Sequence, residues 1–190
     1  MTEEEYRKVL KQFHKLSDRH ILVAETDMPY SDVVKVVTLS DKIRKAGNEL
    51  VGLMRKNYDQ LLRTKRYRKL LKLYGNTQDK DKRRVLAKQL NEMQSEYNVT
   101  WDFCRKSMIP IGKKYGIDAV FALTKAEDVW RGVAKCLYDN GNTIHFSKYG
   151  ELPCIRAKQI DRGIPMSVKD NKLQFRLGKT MFGMQLKDRF

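Results

Sequence analysis

The side chains of this sequence with the most chemistry to offer are cations set close together. Residues 55–72 hold eight lysines and arginines (Arg55, Lys56, Arg63, Lys65, Arg66, Arg68, Lys69, Lys72) and a single acid, Asp59. Such side chains bind phosphate oxygens and release the counterions condensed on a polyanion. Tyr58, Tyr67 and Tyr74 lie beside them. Exposed tyrosines stack on bases, whereas tyrosines at helical spacing also serve as core, so both readings stay open. A second basic group, Lys148, Arg156, Lys158 and Arg162, falls near the turn Tyr149-Gly150.

Catalytic patterns are missing from the sequence. It has no Gly-rich phosphate loop ending in Gly-Lys-Ser/Thr and no dinucleotide fingerprint after a strand. It has no Gly-x-Ser-x-Gly elbow. His14, His20 and His145 are far apart and none has an obvious nucleophile beside it. Cys104, Cys136 and Cys154 show no metal-ligand spacing. Asp and Glu are scattered among Lys and Arg, as helix salt-bridge partners are.

Composition agrees with the cation cluster. The formal charge is +16 over 190 residues, with a pI near 9.8. That balance favours nucleic acid as the partner, with an anionic membrane surface second. A hydrophobic fraction of 41% is enough for a core. The start, MTEEEYRKVL, is no secretory signal, and no apolar run approaches the roughly 20 residues that span a bilayer. A reducing cytoplasm is the expected setting.

The elements that must position these groups follow from periodicity. Residues 2–20 read as an amphipathic helix capped by Thr2, and 21–31 as a connector. Residues 33–39, VVKVVTL, are β-branched and read as a strand. Ser40 then caps one long helix over 41–74, with Ile43, Ala46, Leu50, Met54, Tyr58, Leu61, Tyr67, Leu71 and Tyr74 on its apolar side. Gly47 and Gly52 inside it are either tolerated or admit a close neighbour. Further helices are expected over 77–97, from Thr100 to a kink or end at Pro110, and from a capping box at Thr124 and Glu127 to Asn140-Gly141.

After Asn142 the period drops from 3.6 to 2, at Ile144/Phe146, Ile164/Met166/Val168, Leu173/Phe175/Leu177 and Phe182/Met184/Leu186. Asp170-Asn171 and Gly178-Lys179 are turn signals between runs. The class is therefore α+β. An antiparallel β-barrel of the oligonucleotide-binding type is expected, interrupted by inserted helices. Residues 1–29 form a leading helix and connector, 30–40 and 141–190 the barrel, and 41–140 the helical insertion. The close of the sequence directly after a strand, at Phe190, leads us to expect that the natural polypeptide continues.

This order, with the phrases GNTIHFSKYGELPCIRAKQ and IDRGIPMSVKDNKLQFRL, resembles the N-terminal half of TnpB-like transposon-encoded RNA-guided DNA nucleases and the related type V CRISPR effectors. The resemblance covers about residues 30–190. It implies that the barrel is a wedge domain and the helices a recognition domain. The expected partners are a guide RNA and target DNA, without a membrane, in a bacterial cytoplasm. Arg55, Lys56, Arg63, Lys65, Arg66, Lys69 and Lys72 would hold the guide–target heteroduplex by its backbone, and Lys148, Arg156 and Lys158 the guide scaffold. Asn48, Asn57 and Gln60 would read a short DNA motif beside the target, since amides can pair with adenine edges. No catalytic site falls in these 190 residues. The RuvC-like nuclease domain, with its Mg, would lie C-terminal to Phe190. Two other readings stay open, a stand-alone RNA- or DNA-binding protein and a helical interaction module.

Overall fold

The computed structural model describes residues 26–139, 141–151, 153, 155–156, 164–170 and 172–186. The leading helix expected over 2–20, Cys154, Lys158 and Arg162 lie outside them. Five helices follow a two-residue strand: β1 (Thr26–Asp27), α1 (Tyr30–Arg63), α2 (Lys65–Asn76), α3 (Lys80–Glu96), α4 (Trp101–Tyr115) and α5 (Ala119–Tyr138). Three strands close the order, β2 (Met166–Lys169), β3 (Lys172–Leu177) and β4 (Thr180–Leu186). The fold is α+β.

The expected strand over 33–39 is helix. Its valines favour a strand locally, but Val36 and Leu39 continue, one turn at a time, the stripe of Ile43, Ala46, Leu50 and Met54 that packs into the core. Burial of that stripe outweighs a preference worth about 1 kcal/mol in all. The helix accordingly starts after Pro29, well before Ser40. Its 34 residues measure about 51 Å.

The long helix does not run to Tyr74. It breaks at Thr64, whose backbone is extended (φ −71°, ψ 117°). The Thr64 hydroxyl donates to the Gln60 carbonyl at 3.2 Å, a back-bond that competes with the helical ladder. Thr64 then offers its own carbonyl to the Arg68 N–H, at 3.2 Å, and opens α2. The starts of α3, α4 and α5 are closed by side chains. Asp79 accepts from Asp81 and Lys82, Thr100 from Phe103, and Asp118 from Val120. Because Asp118 caps α5, that helix begins five residues before Thr124, whose hydroxyl donates to the Val120 carbonyl instead of capping. Pro110 sits inside α4, which continues to Tyr115.

The core lies where α1 crosses α4 and α5. Leu50 and Met54 of α1, Cys104 and Met108 of α4, and Ala126, Val129 and Val133 of α5 are all buried there. Gly112 allows α4 and α5 to approach, since a Cβ on it would stand 3.0 Å from that of Ala122. Cys104 has its thiol pushed up to about 12 by burial. The folded state therefore keeps the proton that the unfolded chain gives up near pH 8.5, and stability is lost as pH rises above that value. Between about pH 8.5 and pH 10 the unfolding free energy should fall by about 2 kcal/mol from this thiol. Urea titrations across that range, with Cys104→Ala as the control lacking this thiol's share of the slope, measure it.

The strands form one antiparallel sheet in the order β1-β4-β3-β2. Leu173, Phe175 and Leu177 of β3 and Phe182 and Met184 of β4 point to one face, as their alternation predicts. Phe175 and Phe182 are cross-strand partners with rings stacked 5.1 Å apart. Leu177 and Phe182 join the helical core. Asp170 (φ 51°) and Gly178 (φ 61°) occupy the expected turns. The strand that precedes the helices and pairs with the later meander is Thr26–Asp27, beside Leu186 and Gln185. The five described helices thus lie in the chain between β1 and β2, the two edge strands of this sheet. Among the described residues that sheet is open and does not close into a barrel. Residues 141–148, expected to carry a strand through Ile144 and Phe146, form no strand.

Candidate nucleic-acid interface

Buried polar bonds hold the basic region in place. The Tyr58 hydroxyl donates to the Cys136 carbonyl at 3.1 Å and ties the second half of α1 to α5. Tyr67 is buried and accepts from Gln94 of α3 at 3.3 Å, and Gln94 in turn accepts from Tyr138 of α5 at 3.1 Å. Burial raises the pKa of both Tyr58 and Tyr67. These two tyrosines are therefore core, and the base-stacking reading does not hold for them. Tyr74 is half-buried, with the Arg83 guanidinium 4.6 Å from its ring centre.

With Tyr67 and Leu70 turned inward, α2 turns Lys65, Arg66, Arg68, Lys69 and Lys72 to solvent, and Arg63 continues them from α1. Lys80, Lys82, Arg83, Arg84 and Lys88 extend the basic surface on α3. Several acids elsewhere are matched. Asp41 pairs with Arg44 and Lys45, Glu49 with Lys114, and Asp102 with Arg105 and Lys106. Hydrogen bonds from these cations hold Asp41, Glu49 and Asp102 below their ordinary pKa, led by Lys45, Lys114 and Lys106 respectively. By contrast none of the eight cations in 55–72 forms an ion pair among the described residues. Asp59, one turn from both Arg55 and Arg63, pairs with neither.

The residues expected to act together fall into three groups. Arg55, Lys56 and Gln60 line an open groove with Gly52, Asp59, Arg63 and Phe146, where Arg55 stands 5.2 Å from the Phe146 ring centre. Lys65, Arg66, Lys69 and Lys72 continue from it along α2. Lys148 is exposed beyond the other end of the segment that carries Phe146, and Arg156 is paired with Asp128 of α5. About 17 Å of helix axis separates Arg44, near the Lys148 turn, from Arg55. The two basic groups are therefore distinct surfaces.

The three amides have separate surroundings. Asn57 donates to the Asn98 carbonyl at 3.4 Å, and the side chain of Gln60 is exposed in the groove. Asn48 donates to the Ser147 carbonyl and accepts from the Ser147 N–H, both at 2.9 Å. This two-point bond occupies the edge an adenine would need, which corrects the motif-reading role for Asn48. Asn48→Ala should cost about 1–3 kcal/mol, because two partly buried peptide groups lose their partners. Hydrogen exchange at the Ser147 amide, slow in the parent and fast in the variant, measures this.

The same bond reveals a feature that alternation alone hid. Residues 141–151 and Pro153 run antiparallel to α1 as a strap. Phe146 lies near Gly52, Ser147 at Asn48, Tyr149 at Arg44, and the Pro153 carbonyl accepts from Ser40 at 2.8 Å. Ser40, Arg44, Asn48 and Gly52 are one helical turn apart, so one stripe of α1 carries the strap. Gly47 serves a different neighbour, for a Cβ there would stand 2.2 Å from Cε of Lys125. Among the described residues no helix is long and apolar enough to cross a membrane, and no three His, Cys, Asp or Glu side chains are grouped to hold a metal ion. Comparison of the chain with models of known protein families, with characterised proteins and with solved structures finds no match.

Proposed function

We propose that this chain is a nucleic-acid-binding lobe that holds a phosphate backbone along the end of α1 and the outer face of α2. One observation carries the reading: the cations of 55–72, exposed apart from the half-buried Arg55, form no ion pair among the described residues, whereas several acids elsewhere are matched to cations. Like charges at i,i+4, such as Lys65 with Lys69 and Arg68 with Lys72, weaken an isolated helix. A helix that concentrates them on one face is suited to a polyanion that neutralises them.

The finer form of the proposal is that the lobe belongs to a TnpB-like RNA-guided DNA nuclease. The insertion of the helices, in chain order, between two strands of one sheet supports this form, since it is the arrangement expected of a recognition domain within a wedge. The backbone held on α2 is then that of the guide–target heteroduplex, and catalysis belongs to a nuclease domain C-terminal to Phe190. The test is binding of structured RNA and of an RNA–DNA heteroduplex across a salt series. Arg63, Arg66, Lys69 and Lys72 are exchanged together for glutamate. Unchanged affinity and unchanged salt slope would sink the proposal.

A further inference from the structure

Two aromatic side chains on the strap remain unexplained by packing. Tyr149 is 92% exposed and Phe146 47% exposed. An exposed large aromatic is more informative than a buried one, because nothing in the fold itself requires it. Tyr149 owes its position to a turn. The Glu151 N–H donates to the Lys148 carbonyl at 3.2 Å, and Gly150 takes φ 83°, the conformation that glycine adopts most easily at the third position of such a turn. The Lys148 N–H donates to the Glu151 carboxylate at 2.9 Å and braces it from within.

Both rings are set before any ligand arrives. The strap beneath them is pinned by the two-point Asn48–Ser147 bond and by Ser40 on Pro153. Each ring has an arginine at one side, Arg55 at 5.2 Å from Phe146 and Arg44 at 5.6 Å from Tyr149. Arg44 is itself held by Asp41, with two bonds of 2.8 and 2.9 Å. Phe146 also borders the groove of Arg55, Lys56, Gln60 and Arg63. A rigid ring backed by a cation, beside a groove with unpaired cations, suits a flat π-face attached to a phosphate chain. Unstacked bases offer that face, and bases inside a duplex do not.

We propose that the strap is a base-stacking site for single-stranded nucleic acid. Phe146 and Tyr149 take unpaired bases, and Arg55, Lys56 and Arg63 take the flanking phosphates. The site rests on the nucleic-acid reading above and deepens it. The outer face of α2 holds a continuous backbone, and the strap receives a strand that leaves it.

The experiment compares an oligouridylate of about 12 nucleotides, within the span that stacking proteins cover, with a duplex of the same length. Phe146→Ala and Tyr149→Ala should each weaken single-strand binding about tenfold and leave duplex binding within about twofold. Phe146→Tyr and Tyr149→Phe should restore it, which separates stacking from a defect of folding. In Tyr149→Trp, emission should be quenched as the oligouridylate binds. A double alanine variant that holds the single strand as tightly as the parent overturns the site, while duplex binding and its salt slope still test α2. Equal losses for single strand and duplex overturn it as well. If the parent binds neither oligonucleotide but binds polyglutamate, both the strap site and the α2 proposal are wrong, and the partner is an acidic protein.

Discussion

Reversing Arg63, Arg66, Lys69 and Lys72 to glutamate is expected to remove most heteroduplex binding at moderate salt and leave the fold intact. Every phosphate that is no longer neutralised should lower the slope of log affinity against log salt by about 0.9, so four of them lower it by about 3 to 4. The parent should then lose on the order of 100-fold more affinity than the variant between about 50 and 200 mM salt. Stability should change little, because the four side chains are exposed and unpaired among the described residues, and such substitutions usually stay within about 0.5 kcal/mol each. The control reverses Lys35, Lys45, Lys106 and Lys114, which lowers the net charge by the same amount but removes cations that already face acids. Each such surface pair is worth about 0–1 kcal/mol, so the control should also fold. A control that matches the α2 variant in slope would show that only net charge matters and that α2 has no special role.

Leu50→Ala is expected to cost about 2–5 kcal/mol, the largest single-residue effect on stability among those considered. Leu50 is fully buried on the face of α1 that meets both α4 and α5. Truncation there strips away apolar packing and leaves a cavity walled by three helices that cannot collapse independently. Against a total of about 5–15 kcal/mol for a domain, such a loss is a substantial share of stability. In thermal unfolding it should lower Tm by roughly 2–4 °C per kcal/mol for a chain of this size. Leu73→Ala on α2 is the comparison. Leu73 is largely exposed, so its truncation should move stability by no more than about 0.5 kcal/mol. Similar costs at the two positions would mean that α1 is not the central element of the core.

Much of this architecture is legible in the residue order because burial and periodicity are local. The stripe from Ile43 to Leu61, the alternation of Leu173, Phe175, Leu177 and Phe182, and the turns at Asp170 and Gly178 each follow from near neighbours in the chain. The basic cluster is legible for the same reason. Residues 33–39 misled because their β-branched run favours a strand, and only their register with the stripe below makes them helix. The break at Thr64 carries neither proline nor glycine, and depends on one hydroxyl reaching back a turn. Thr124 and Glu127 fit a capping box, yet Asp118 caps first, because the chain after Gly116 turns directly into α5.

The candidate site divides along the same line. That the cations of 55–72 share a surface, and that a polyanion is their natural partner, follows from composition and helical spacing alone. Which side chains flank them does not. Tyr58 and Tyr67 carry the same chemistry as Tyr149, but the first two are core because α5 and α3 supply acceptor and donor for their hydroxyls. Tyr149 faces water because a turn pinned to α1 lifts it out. Asn48 looks like a reader of bases until Ser147, 99 residues away in the chain, takes its amide. Sequence determined the charge, the periods and the turns, which are properties of neighbouring residues. Tertiary structure decided which polar groups are already bonded and which remain for a partner, because that depends on contacts between residues far apart in the chain.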